Sequence, residues 1–194
     1  MKSPQNIEQL RALRVNGVHL NFRFFLEYQP AKNGYISNAC LSQWWPCIFT
    51  VDGNAFSTAE HYMMYEKAVL FGDRITAARI IETDHPFEAK TLGRLVRGFD
   101  EQRWSEARLE IVMRGNLAKF SQNPKLLSFL MNTGDAVLAE ASPTDLLWGI
   151  GCREESPIAA QPENWPGQNL LGFALMHVRD HLSRFTHTKM KWMQ

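Results

Sequence analysis

A carboxylate and an amine stand seven residues apart in the segment Ser57-Thr-Ala-Glu60-His-Tyr-Met-Met64-Tyr-Glu-Lys67-Ala-Val-Leu-Phe71. The spacing of its apolar residues predicts a helix. At about 100° per residue, Glu60, Met64, Lys67 and Phe71 then share one face, with Met63 close beside them. If that stripe is buried, desolvation raises the Glu60 pKa and lowers that of Lys67, which brings both toward the range useful for proton transfer and amine attack. Their mutual attraction opposes both shifts. Seven residues of helix rise about 10 Å, so the two head groups are placed to flank a ligand rather than to bond each other. A structural explanation stands beside this one. Ser57-x-x-Glu60 reads as a capping box whose carboxylate returns to the Ser57 amide, and Lys67 can run its stem past apolar neighbours into water.

A second group is aromatic: Trp44-Trp45-Pro46, Trp148-Gly149-Ile150-Gly151 and Trp165-Pro166. A tryptophan beside glycines lets a planar ligand approach both ring and backbone, as a nucleobase or another heterocycle would. Core packing is the commoner use of such residues. Ser42-Gln43 and Gln168-Asn169 add uncharged hydrogen-bonding groups beside these aromatics, although such groups are also ordinary loop and cap residues. His177 and His181 lie one helical turn apart, a metal-binding spacing, but no third ligand stands out, and a solvated face is the simpler reading. The chain holds no Gly-x-Ser-x-Gly and no Walker-type loop. Cys40, Cys47 and Cys152 are widely spaced and odd in number, which fits a reducing, cytoplasmic setting better than a disulfide framework.

The scaffold that must position these groups has 194 residues, the size of one domain with a full core. Lys plus Arg total 21 against 20 Asp plus Glu, a formal charge of +1 that provides no global field for nucleic-acid binding. No stretch approaches the roughly 20 apolar residues of a membrane span, and Met1 to Gly17 lacks the apolar core of a secretory signal. Ser3-Pro4 can cap a short, loosely attached leading helix through Leu13. Leu20 to Leu26 reads as a strand, Gly34 to Ser42 as loop, and Cys47–Val51 with Asn54–Phe56 as a hairpin turning on Asp52-Gly53. From Ser57 the pattern is helical for about eighty residues, a large share for one domain. Gly72, Gly98 and Gly134 mark helix ends, Asp73 and Asp100 caps, and Pro86 and Pro124 first turns. Val137 to Ala141 is a possible strand. Gly149 to Gly167 reads as an ordered loop, and Asn169 to Arg184 as a last helix. The expected class is mainly α: a helical bundle with a few short β-strands near the N-terminus, that is, an α-rich α+β fold.

The segments Leu41-Ser-Gln-Trp-Trp-Pro46, Phe49-Thr-Val-Asp-Gly53, Thr58-Ala-Glu-His-Tyr62, Glu66-Lys67, Leu70-Phe-Gly-Asp73, Arg114-Gly-Asn-Leu-Ala-Lys-Phe120, Trp148-Gly-Ile-Gly151 and Gln168-Asn-Leu-Leu-Gly172 together resemble the NADAR, or YbiA-like, family. The match runs in consistent order from about Asn21 to Arg179. It implies a YbiA-like domain over 20–185, with 1–19 an N-terminal extension and 186–194 a basic tail. The activity implied is an N-glycosidase that breaks the bond between a ribose anomeric carbon and an exocyclic amine. Two substrate types follow from the resemblance: ADP-ribosylated guanine in nucleotide or nucleic acid, and ribosylated pyrimidine intermediates of riboflavin biosynthesis. A non-catalytic ADP-ribose-binding module is the alternative from another class. No metal, cofactor, membrane or stable protein partner is implied.

Carried over by motif, Glu60 corresponds to the family's acidic residue, Lys67 to its helix lysine, Trp148 to its Trp-Gly tryptophan and Asn169 to its late asparagine. Glu60 is then expected to move the proton, and Lys67 to form a Schiff base with the opened sugar. Trp44 and Trp148 are expected to wall the base, and Asn169 and Arg23 to orient ribose and phosphate, Arg23 only from its place beside the aromatic strand. Ser42 and Gly149 complete the expected substrate contacts. One departure matters: where some members have Asp, this chain has Ile150, so that task is absent or has moved to Asp145 or Glu154.

Overall fold

The computed structural model describes residues 3–30 and 35–191, with side chains through Arg184. Seven α-helices and four short strands are found among the described residues: α1 (Ile7–Val15), β1 (Phe22–Phe25), β2 (Phe49–Val51), β3 (Asn54–Phe56), α2 (Ala59–Leu70), α3 (Arg74–Ile81), α4 (Pro86–Arg94), α5 (Glu101–Gln122), α6 (Pro124–Asn132), β4 (Val137–Glu140) and α7 (Leu170–Lys191). The mainly helical expectation holds. Three strands lie early in the chain, whereas β4 lies late and returns to pair in parallel with β1, placing Phe25 opposite Glu140. A parallel pair needs a long crossover, and here α2 to α6 supply it.

Local chemistry explains most boundaries. Asp52 and Gly53 both take positive φ, 49° and 81°, the backbone a tight two-residue hairpin requires, so β2 and β3 pair antiparallel. The Asp73 carboxylate accepts from the Thr76 N–H at the start of α3, and that of Asp100 accepts from the Arg103 N–H at the start of α5. Helix α2 packs on α3, α4 and α5, while α7 packs on α5 and β4. The last approach depends on Gly172, where a Cβ would collide with the Leu138 carbonyl.

Three expectations are corrected. Helix α1 is capped by Asn6 rather than by Ser3-Pro4, and it is tied down: Leu10 is fully buried, Arg11 donates to the Pro162 carbonyl, and Ser3 donates twice to Asp180. Helix α4 ends at Arg94, short of Gly98, because the Arg97 N–H is taken by Asp73 Oδ2. Helix α7 continues past Arg184 to Lys191, since no glycine or proline interrupts that stretch. The loop expected from Gly34 contains a 3₁₀ turn over Asn38–Leu41, while Gly34 itself and the last three residues of the tail lie outside the described residues.

Candidate functional site

Helix α2 starts differently from a capping box. Thr58, not Ser57, is the N-cap, and its hydroxyl accepts from the His61 N–H. His61 in turn accepts at Nδ1 from the Thr58 hydroxyl and donates from Nε2 to the Thr83 carbonyl, because a carbonyl can only accept. The cap is therefore complete without Glu60. The Glu60 N–H donates to the Gln43 carbonyl, and its carboxyl turns away into the protein with 3% of the residue exposed and Oε1 without any hydrogen-bond partner. Burial pushes this carboxyl up to about 7, against the opposing influence of Lys90, the Trp44 indole and Arg94.

Two turns along the same helix, Lys67 is half-buried. Its Nζ lies 4.3 Å from the Phe99 ring centroid and 5.5 Å from that of Trp104. The ring faces attract the cation, yet burial prevails and the amine pKa is lowered, with Glu101 opposing and Arg94 adding to the effect. Glu60 and Lys67 open into one cavity of about 510 Å³. The expected helical face is thus realised, and Met63 and Met64 line the wall between the two groups.

The opposite wall comes from the end of β4 and the loop that follows. Asp145 Oδ1 accepts from the Leu147 and Trp148 N–H groups at 2.9 and 2.7 Å, a side-chain turn that presents the Trp148 indole to the cavity. Gly149 lies behind it, where a Cβ would sit 2.9 Å from the Glu140 carbonyl and 3.0 Å from that of Asp145. Asn169, with φ of 55° and no exposure, clamps this loop to β4: its Oδ1 accepts from the Glu140 N–H at 3.1 Å, its Nδ2 donates to the Leu138 carbonyl at 2.9 Å, and its N–H donates to the Gly149 carbonyl.

The structure therefore brings Glu60, Lys67, Ser42, Trp44 and Trp148 to one cavity. Gly149 and Asn169 stand behind the wall, with every side-chain atom of Asn169 committed to the fold. Arg23 is exposed on β1 and does not line the cavity, although Phe25 on the same face of that strand is buried. Ile150 is fully buried and donates its N–H to the Glu140 carbonyl, so an acid at that position has no equivalent here. Of the two proposed substitutes, Asp145 lines the cavity while Glu154 lies in a separate hollow with Arg153 and Phe129.

Several site residues were absent from the expectation. Glu140 lines the cavity, has a buried Oε2 without a partner, and is pushed up to about 8 by burial, then by the charges of Asp145 and Glu60. Lys90 and Arg94, one turn apart on α4, bring positive charge to the same cavity, and Lys90 Nζ lies 5.6 Å from the Trp44 ring. Their one available signal is the four-residue spacing of two cations after the Pro86 helix start. Gln43, already noted as a polar neighbour of Trp44, lines the cavity with Nε2 buried and unpaired, its Oε1 fixed by Asn116 Nδ2 at 2.8 Å. Lys119, fully buried in α5, donates to the Ser42 carbonyl at 2.7 Å and so holds the Ser42–Trp44 segment in place. His177 is exposed on α7, and no group of three metal-ligating residues occurs among the described residues. No described helix is long and apolar enough to cross a membrane.

Residues 24–183 match the NADAR domain. The chain is 42% identical over 144 residues to an N-glycosidase of Acanthamoeba polyphaga mimivirus, a match covering 72% of this chain and 85% of the relative. It is 30% identical over 156 residues to a riboflavin biosynthesis protein of Vibrio vulnificus, which covers 80% of this chain but only 37% of that protein. The NMR structure of E. coli YbiA shares the fold, with a TM-score of 0.67 at 24% identity over 87% of this chain and 89% of that one.

Proposed function

The chain belongs to the NADAR domain family of N-glycosidases, and on that premise we propose that its cavity hydrolyses the bond between ribose C1 and an exocyclic amine, with ADP-ribosylated guanine, in nucleotide or nucleic acid, as substrate. The observation that carries this reading is the placement of a buried carboxyl with one unpartnered oxygen and a half-buried amine in one cavity of about 510 Å³ between Trp44 and Trp148. That space suits a ribose joined to a heterocycle.

The bond dictates the roles. Positive charge develops at C1 as the bond opens, and the departing nitrogen must gain a proton. Glu60 stabilises the cationic carbon and moves the proton. Lys67, whose neutral form burial favours, attacks C1 of the opened sugar and forms a Schiff base that water then hydrolyses. Trp44 and Trp148 wall the heterocycle, and Ser42 borders it. Lys90 and Arg94 supply the cationic rim for the substrate's phosphates. Asn169 acts through Glu140 and the Trp148 loop rather than on the sugar.

A second reading, a ribosylated riboflavin-pathway pyrimidine as substrate, is favoured by the similarity to the Vibrio vulnificus riboflavin biosynthesis protein. Parallel incubation with ADP-ribosylated guanosine and with a ribosylated aminopyrimidine separates the two. Release of ADP-ribose with unmodified guanosine supports the first substrate, release of ribose from the pyrimidine alone supports the second, and binding without release leaves an ADP-ribose-binding module.

A further inference from the structure

We propose that Glu140 is a second catalytic carboxyl of this cavity, passing its proton to the exocyclic nitrogen as the bond to ribose C1 breaks, while Glu60 faces the sugar. The inference rests on the N-glycosidase reading and reassigns one role within it: the proton for the departing nitrogen comes from Glu140, and Glu60 keeps the stabilisation of the cationic carbon.

The argument begins with what holds Glu140. Its N–H is taken by Asn169 Oδ1 at 3.1 Å, its carbonyl accepts from the Ile150 N–H at 2.8 Å, and its strand is paired with β1. The main chain is fixed on both sides, yet the side chain ends in a buried Oε2 with no partner. A buried polar atom left unmade costs about 1–3 kcal/mol, so a purely structural acid here would be expected to hold an ion pair or a donor, and none within salt-bridge distance is found among the described residues. Glu60 Oε1 and Gln43 Nε2 are orphaned in the same cavity, and Gln43 is 8% exposed. Three unserved polar atoms, two acids and one amide, thus converge on a single space. The amide belongs to neither acid and independently marks the space as one for a polar ligand.

Two carboxyls on either side of a scissile glycosidic bond divide acid and base work between them. The groups facing Glu140 are Glu60 and Lys67 from α2, Lys90 and Arg94 from α4, and Asp145 from its own loop. Burial and the two neighbouring acids keep the Glu140 proton on at neutral pH, against Lys90. In the step itself, the electron pair of the C1–N bond leaves with the nitrogen, and the Glu140 proton joins it to give the free amine. C1 is taken by the nucleophile, Lys67 or water. The water finally consumed gives its hydroxyl to C1 and its remaining proton to the Glu140 carboxylate, so that N-riboside plus water yields amine plus free sugar.

The test compares N-ribosyl anilines that differ only in the acidity of the departing aniline. With a poor leaving group, Glu140→Gln lowers kcat by about 10²- to 10⁴-fold with KM little changed. With nitroaniline, which departs without protonation, the loss shrinks at least tenfold, and the fall of kcat on the alkaline side is removed. Glu60→Gln shows no such leaving-group rescue. Equal losses on both anilines, or an unimpaired Glu140→Gln, overturn the assignment of Glu140 and leave the glycosidase reading standing. If the wild-type protein cleaves no N-riboside at all, that reading falls and takes the assignment with it. Should Glu140→Gln unfold by circular dichroism, Glu140→Asp, which keeps the acid but withdraws it, reports the same leaving-group ratio.

Discussion

Two carboxyls at the starts of neighbouring helices, Asp73 before α3 and Glu60 in the first turn of α2, are each 3% exposed, and they behave oppositely. Asp73 has all its lone pairs served. Its Oδ1 accepts from the Thr76 N–H and from Arg97 Nη2, and its Oδ2 from the Thr76 hydroxyl and the Arg97 N–H, at 2.8 to 3.2 Å. The Arg97 guanidinium, followed by these other donors, holds that carboxyl well below the usual range. Glu60 has an orphaned oxygen and is held above it. Burial alone therefore does not mark a site. A buried acid with an unserved oxygen at a cavity is the better marker, because that atom is left available to a ligand.

The largest expected break in this contrast comes from Lys67. Lys67→Ala is expected to lower kcat by about 10³-fold or more, since a nucleophile cannot be replaced by its neighbours, and single-turnover kinetics on ADP-ribosylated guanosine measure it. Next, Glu60→Gln should lower kcat by about 10²- to 10⁴-fold while making the fold more stable at alkaline pH. The sign follows from linkage: the folded-state pKa is raised, so the carboxyl's contribution is full below about 4.3, the ordinary glutamate value, and is lost as pH rises through about 7. Glutamine never ionises, so thermal melts above pH 7 should place the variant about 1–3 kcal/mol above wild type.

Asp73→Asn should do the reverse, lowering the melting temperature at neutral pH without changing kcat per folded molecule. Its pKa is depressed, so its contribution is present above the ordinary aspartate value near 3.9 and lost as pH falls through the folded pKa. The variant should accordingly show a shallower acid limb in melts. The smallest effect is expected from Trp148→Ala, a rise in KM of about two- to tenfold for loss of one stacking wall, read from steady-state rates.

The sequence makes much of this scaffold legible because the deciding signals are local. Asp52-Gly53, Asp73, Pro86, Asp100 and Pro124 each act within a few residues, and each stands where expected. Glu60 and Lys67 are readable for the same reason, being two points on one helix face. Glu140 is not, because its meaning depends on β4 pairing with β1 across more than a hundred residues and on Asn169 seizing its amide. Arg23 shows the converse: adjacency to aromatic residues in the chain does not bring a side chain to the cavity. At Glu60 the capping-box reading misses by one residue: Thr58 takes the cap and leaves the carboxyl out of it.

Mass spectrometry of the protein quenched with borohydride during turnover of ADP-ribosylated guanosine tests the central claim most directly. The account predicts released guanosine and a reduced ADP-ribosyl adduct on Lys67 that is missing from Lys67→Ala. Recovery of intact substrate beside unmodified protein, with neither product nor adduct formed, would contradict it.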